Sequence, residues 1–172
     1  MKILIINSVP LNGGDEALLQ ATVLGLEKVF SDAQTTVLCR DHHTCLALMP
    51  EYSFFPDYEL TVFDFDDSFS GRLKKYLKRR LHKLGLGDWL ERWGILQTAS
   101  QKRVLALIKG ADLVISSPGG YLHDYYGYTA RLKVFELIQS FGIPLVILAQ
   151  SIGVLRMCIK PAKNSCFAIH EI

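Results

Sequence analysis

The densest group of chemically able side chains follows a glycine pair. In "SSPGGYLHDYYG", Tyr121, His123, Asp124, Tyr125 and Tyr126 crowd together after Pro118, Gly119 and Gly120. A proline and two glycines allow a tight turn and a close approach of backbone to ligand. Aromatics beside Asp and His suit a carbohydrate or a small anion. His123 next to Asp124 can titrate near neutral pH and act as acid or base, or it can simply hydrogen-bond a neighbouring loop. No second His or Cys stands at a metal-ligand spacing, so no metal site is expected.

Two further loops belong with this one. "NSVPLNGGDEALLQA" carries Asn12, Gly13, Gly14 and Asp15 at the start of a helix. Free backbone N–H groups there attract anions, but Asp15 and Glu16 oppose a pyrophosphate. The third glycine of the dinucleotide fingerprint is missing, and so is the GK[ST] of a P-loop. Asp15 fits either a helix cap or an acceptor of hydrogen bonds from sugar hydroxyls. "AQSIGV", with Gln150 and Gly153, ends the last apolar run and reads as an ordinary turn or as a third wall of the same site. All three loops leave the carboxyl ends of expected strands, where open α/β sheets bind ligands.

The elements that position these loops alternate. Lys2 to Asn7 is a continuous apolar run, as expected of a strand buried on both faces. Asp15 to Phe30 has helical spacing. Thr35 to Cys39 predicts a second strand, and Leu60 to Phe63 a weaker third. A helix from Thr98 closes at Gly110, and a strand covers Asp112 to Ser116. A further helix spans Thr129 to Phe141, and the strand "PLVILAQ" follows the stop signal of Gly142 and Pro144. Strands separated by helices imply an α/β fold: a Rossmann-like parallel sheet with helices on both faces.

A different texture interrupts the alternation. Asp57 to Asp67 is acidic and aromatic. "GRLKKYLKRRLHKLG" then places Leu73, Tyr76, Leu77, Leu81 and Leu84 on one helical stripe among Arg72, Lys74, Lys75, Lys78, Arg79, Arg80 and Lys83. With Trp89 and Trp93 beyond, residues 72–95 read as an inserted basic helical arm. Three readings stay open for it: packing through its leucines with a solvated basic face, peripheral contact of 72–83 with an anionic membrane, and nucleic acid. Nucleic acid is the weakest, because there is no recognition motif and the net charge is only +2.

Composition narrows the class. An apolar content of 49% in 172 residues supports one folded domain rather than disorder. Cys39, Cys45, Cys158 and Cys166 show no CxxC pairing and read as reduced thiols. His42 and His43 read as exposed loop residues without a role. No run approaches the ~20 apolar residues that span a bilayer, and no leader pattern is visible, so a soluble cytoplasmic protein is expected, peripheral at the inner membrane face if the arm binds lipid. An uncovered sheet edge after residue 150 leaves self-association open.

In this order and spacing, "NGGDEALL", "ADLVISSPGGYLHD" and "IPLVILAQSIGV" resemble the polysaccharide pyruvyl transferase family. Its members show a GD-E-A motif at the first helix, a G-G-x-L-x-D loop after a D-x-V-I-S strand, and a Q-S/G-I-G segment. Pro118 stands where many relatives have another glycine. The segment after Gly153 lacks the proline-aromatic step of the family. The resemblance covers roughly residues 1–155. It implies the N-terminal domain of a two-domain, GT-B-like fold, with 156–172 an irregular tail, read as truncation, and the second domain absent.

The activity implied is transfer of pyruvate from phosphoenolpyruvate to a sugar of a cell-surface glycan or its precursor as a ketal, with no cofactor. On this reading Asn12, Gly13, Gly14, Asp15, Gly119, Gly120, Tyr121, His123, Asp124, Gln150 and Gly153 bind substrate. The general acid, a histidine, is expected in the other domain, and His123 is only a weak stand-in. The rivals are a non-catalytic glycan-binding or interaction module and half of a nucleotide-sugar-dependent glycosyltransferase.

Overall fold

Ile3, Leu4, Ile5 and Ile6 make the first strand apolar on both sides, so it can only sit in the middle of a covered sheet. It does. In the computed structural model, which describes residues 1–122 and 128–152, β1 (Lys2–Ser8) is central. It is flanked by β2 (Gln34–Cys39) and β4 (Leu113–Ser116). With β3 (Ser53–Pro56) and β6 (Leu145–Ile147) at the edges, the order of the five-stranded sheet is β3-β2-β1-β4-β6, and every neighbouring pair is parallel. The α/β class and the Rossmann-like sheet are as the sequence predicts.

Alternate side chains of β1 serve two cores. Leu4 and Ile6 join Val104, Leu105 and Ile108 of α6 (Ala99–Lys109) and Val134, Phe135 and Ile138 of α7 (Tyr128–Ser140). Ile5 faces the opposite layer, against Leu19 and Val23 of α1 (Gly13–Val29) and Cys45 of α2 (His42–Leu48). Thr98 caps α6: its Oγ1 accepts from Gln101 N at 2.9 Å. Among the described residues no helix is long and apolar enough to cross a membrane.

Two strand expectations need correction. The third strand is β3 (Ser53–Pro56), whereas Leu60 and Thr61 lie in a helical turn, α3 (Tyr58–Thr61). Edge position explains how a strand can end in Pro56, which has no N–H to donate. The turn that follows is held by Tyr58, whose hydroxyl accepts from Gln101 Nε2 at 3.0 Å. "PLVILAQ" is likewise not one strand. β6 (Leu145–Ile147) stays in the main sheet, and Ala149 then adopts a left-handed conformation with φ 39°. That turn sends β7 (Gln150–Ile152) into a separate two-stranded sheet with β5 (Gly119–Leu122).

The basic arm brings the largest reversal. It forms α4 (Phe69–Lys83) and α5 (Gly87–Trp93). Most of the leucine stripe does not pack it, although Leu81 is half-buried. Gly71 and Lys78 point inward, while Leu73, Tyr76, Leu77 and Leu84 are exposed. A Cβ on Gly71 would collide with the Asp66 carbonyl and carboxylate, so only glycine allows this approach. Lys78, expected in the solvated face, is fully buried. Its ammonium donates to Gln101 Oε1 at 2.9 Å and lies 5.8 Å from the ring centres of both Phe63 and Phe65.

Candidate functional site

The sheet reverses its direction of growth between β1 and β4. This switch point is where an open α/β sheet leaves a crevice beyond its strand ends. Two buried polar residues meet there. Asn7, near the end of β1, donates from Nδ2 to Ser116 Oγ, at the end of β4, at 3.0 Å. Arg131 reaches in from α7 and donates from Nη1 to Asn7 Oδ1 at 2.9 Å. One amide side chain thus ties two strands together and fixes a guanidinium at the crevice.

The backbone around Asn7 is strained in a way that serves this contact. Asn7 has φ 60°, in the left-handed region that costs most L-residues energy but that Asn tolerates. The register of β1 against β2 shifts between Ile5 and Ser8 at the same place. Ser8 Oγ is buried by this twist and has no hydrogen-bond partner among the described residues. Ser117 N is anchored to the Ile6 carbonyl at 2.9 Å, which holds the second loop beside the end of β1.

Asp57 completes the polar group on the β3 side. Its N–H donates to the Cys39 carbonyl at 3.1 Å, so it stands where β2 and β3 end. Burial pushes its pKa up to about 6; Arg131 and Arg40 pull against that rise, and Glu59 and Asp41 add to it. The folded state therefore holds the proton more tightly than the unfolded chain. Stability should fall as pH rises between about 4 and 6, and level off above that window. Asp57→Asn is expected to flatten the slope and to exceed the parent at pH 7 by on the order of 2 kcal/mol. Urea midpoints of both proteins across that range check it.

The expected binding residues fall in three groups. Asn12, Gly13, Gly14 and Asp15 sit at the start of α1, and Asn12 Nδ2 donates to Asp15 Oδ2 at 2.9 Å. The Asp15 carboxylate is therefore held by the Asn12 side chain, and Asn12 is the residue in the cap position. A Cβ on Gly13 or Gly14 would meet nothing within 4 Å, so the space over the loop is open. Gly119, Gly120 and Tyr121 lie in β5, and Gly119 pairs with Gln150 of β7. Gly119 has φ 147° and its N–H reaches the Ala149 carbonyl at 3.4 Å. The second and third loops are thus joined by a strand pair. His123, Asp124 and Gly153 lie outside the described residues, as do Cys158 and Cys166.

Sequence reasoning did not single out Asn7, Asp57, Ser116 or Arg131. Asn7 and Ser116 are the polar residues that end apolar runs in "LIINS" and "LVISS", and that is a usable signal. Arg131 carries none, because its role depends on where α7 docks. The histidines differ slightly from expectation: His42 is half-buried at the start of α2 and stacked on His43 at 4.0 Å. Burial and the neighbouring imidazole lower the His42 pKa. Cys39 and Cys45 are buried free thiols whose pKa values burial raises, so neither is poised as a nucleophile.

Among the described residues no three His, Cys, Asp or Glu side chains gather as metal ligands. A hollow of about 230 Å³ lies between Lys2–Leu4 and the end of α6, at the amino end of the strands and away from the switch point. A family model described as Polysaccharide pyruvyl transferase matches residues 12–168. No curated protein and no solved structure matches the chain.

Proposed function

The chain belongs to the polysaccharide pyruvyl transferase family, and from that premise we propose that it acts in transfer of pyruvate from phosphoenolpyruvate to two hydroxyls of a glycan acceptor. The enol methylene carbon takes up a proton and becomes a methyl group. One hydroxyl oxygen then bonds to the adjacent carbon, the C–O bond to phosphate breaks, and the second hydroxyl closes a cyclic ketal. Of the two hydroxyl protons, one balances that taken up by carbon and the other leaves with phosphate.

Arg131, held at the switch point by Asn7, carries the structural side of this reading. A fixed positive charge in a half-buried crevice favours anionic groups and the charge that shifts onto departing phosphate. Asp57 is the proposed base for an acceptor hydroxyl. A carboxyl with a pKa of about 6 is largely ionised at neutral pH yet close enough to it to take a proton. Gly13, Gly14 and Asp15, then Gly119, Gly120, Tyr121, His123 and Asp124, and then Gln150 and Gly153, are the proposed lining of the acceptor side. The acid that protonates the methylene carbon is assigned to none of the described residues; the family pattern expects it on a facing domain. A donor made in the cytoplasm sets the proposed compartment.

The direct test supplies phosphoenolpyruvate with oligosaccharides that carry neighbouring free hydroxyls. It follows inorganic phosphate and the ketal methyl signal by proton NMR. Equal appearance of both supports the reading. Competition by nucleotide diphosphates rather than by phosphoenolpyruvate would replace it with a nucleotide-sugar-dependent transferase. A sharper test uses the glycines. Gly13→Ala and Gly14→Ala should fold normally, since an added Cβ meets nothing and neither glycine has a positive φ. The acceptor KM should nonetheless rise about fivefold or more, because the methyl occupies the approach to the loop. An unchanged KM in both would move the acceptor away from this loop.

A further inference from the structure

A helix buries whichever face its anchors dictate, and three anchors set the rotation of α4. Gly71, Lys78 and His82 recur at helical spacing on one side. Gly71 seats against Asp66, Lys78 is tied to Gln101, and the His82 ring packs edge-on against Phe63 at 5.2 Å. Ser68 Oγ caps the helix from the same side by accepting from Gly71 N at 3.0 Å. The opposite face is then turned outward. It carries Phe69, Leu73, Tyr76 and Leu77, which are 79%, 57%, 60% and 46% exposed. Trp89 and Trp93 of α5 are also exposed, at 52% and 67%.

Charge identifies what covers this surface. Arg72, Lys74, Arg79, Arg80 and Lys83 are all exposed on α4, and that helix contains no acidic residue. In sequence, Asp64, Asp66 and Asp67 precede the helix and Asp88 and Glu91 follow in α5, so the helix itself concentrates positive charge in a chain whose net charge is just +2. Solvent-exposed leucines and a tyrosine between cations, with two exposed tryptophans in the next helix, match the layered chemistry of a bilayer interface. Acyl chains accept the apolar residues, and anionic headgroups accept the cations. We infer that the outward face of α4, continued by Trp89 and Trp93, is a docking surface for anionic phospholipid membrane.

The inference stands apart from the transfer chemistry, so its test needs neither donor nor acceptor. Trp89 and Trp93 are the only two tryptophans in the chain, which makes indole fluorescence a reporter of this surface alone. Vesicles of phosphatidylglycerol and phosphatidylcholine should shift the emission to the blue, and acyl-chain bromines should quench it. Pure phosphatidylcholine should do neither. Arg79→Glu with Arg80→Glu, and separately Leu73→Ser with Leu77→Ser, should each weaken co-sedimentation at least tenfold. Both pairs replace exposed side chains, and circular dichroism verifies their fold.

Absence of binding to the anionic vesicles would overturn the inference, and so would binding that neither pair alters. Concentration-dependent dimers in sedimentation, lost in Leu73→Ser with Leu77→Ser and unaffected by vesicles, would assign the face to a second copy of the chain instead.

Discussion

Arg131→Ala is expected to lower kcat/KM for pyruvyl transfer about a hundredfold, the usual cost of deleting a preorganised charge from a polar site. The fold should survive. Arg131 is half-buried, and losing its bond leaves the Asn7 amide oxygen without that donor, a cost of about 1–3 kcal/mol. A second readout separates function from support. The guanidinium holds the Asp57 carboxyl below where burial alone would push it. Without it the proton is bound more tightly, and the acid limb of kcat/KM should move upward from about pH 6. Arg131→Lys keeps the charge but loses the planar fork, so it should restore the limb while recovering only part of the rate. A loss of stability with activity and limb unmoved would reduce Arg131 to a strut between α7 and β1.

That site was only half legible in the sequence, for reasons that differ residue by residue. Gly13, Gly14, Gly119 and Gly120 announce themselves because loops that meet ligands need residues without side chains. Asn7 and Ser116 sit inside recognisable strands, but their meeting depends on β4 lying next to β1. Strand order is a tertiary fact that an alternating pattern does not specify. Arg131 is one more cation on an amphipathic helix until that helix docks. Asp57 disappears into an acidic stretch whose other carboxylates do surface work: Asp64 accepts from Ser100 Oγ at 2.6 Å, and Asp66 accepts from Ser68 N at 3.0 Å.

The fold was read more fully, and its errors share one cause. Hydrophobic spacing located β1, α1, β2, α6, β4 and α7 because each buries a periodic face against the sheet. It failed where a local contact outweighs periodicity. The run at Leu60 became a turn around Tyr58 and Thr61, with Thr61 Oγ1 donating to the Tyr58 carbonyl at 2.6 Å. The strand after Pro144 was broken by a single left-handed residue, Ala149. In α4 the most hydrophobic stripe lost the interior to a glycine and a lysine, because Asp66 leaves room only for the first and Gln101 is placed to hold the second.

Lys78 is where that last choice can be measured. Its side chain is fully buried, and its ammonium heads a relay: Lys78 Nζ donates to Gln101 Oε1, and Gln101 Nε2 donates to the Tyr58 hydroxyl. Thr98, which caps the helix carrying Gln101, donates from Oγ1 to the Thr61 carbonyl at 2.7 Å. These bonds join α4, α6 and α3. Lys78→Ala leaves a cavity beside Phe63 and Phe65 and deprives a buried amide oxygen of its donor, so unfolding free energy should drop by about 2–4 kcal/mol. Lys78→Met keeps the stem and removes a charge that was costly to bury, so it should recover more than half of that loss. Urea denaturation of the three proteins decides the matter. A drop under about 0.5 kcal/mol in Lys78→Ala, within the range of ordinary surface changes, would mean that Lys78 faces water. The helix would then be rotated, its leucines would be inside, and the membrane face would go with them.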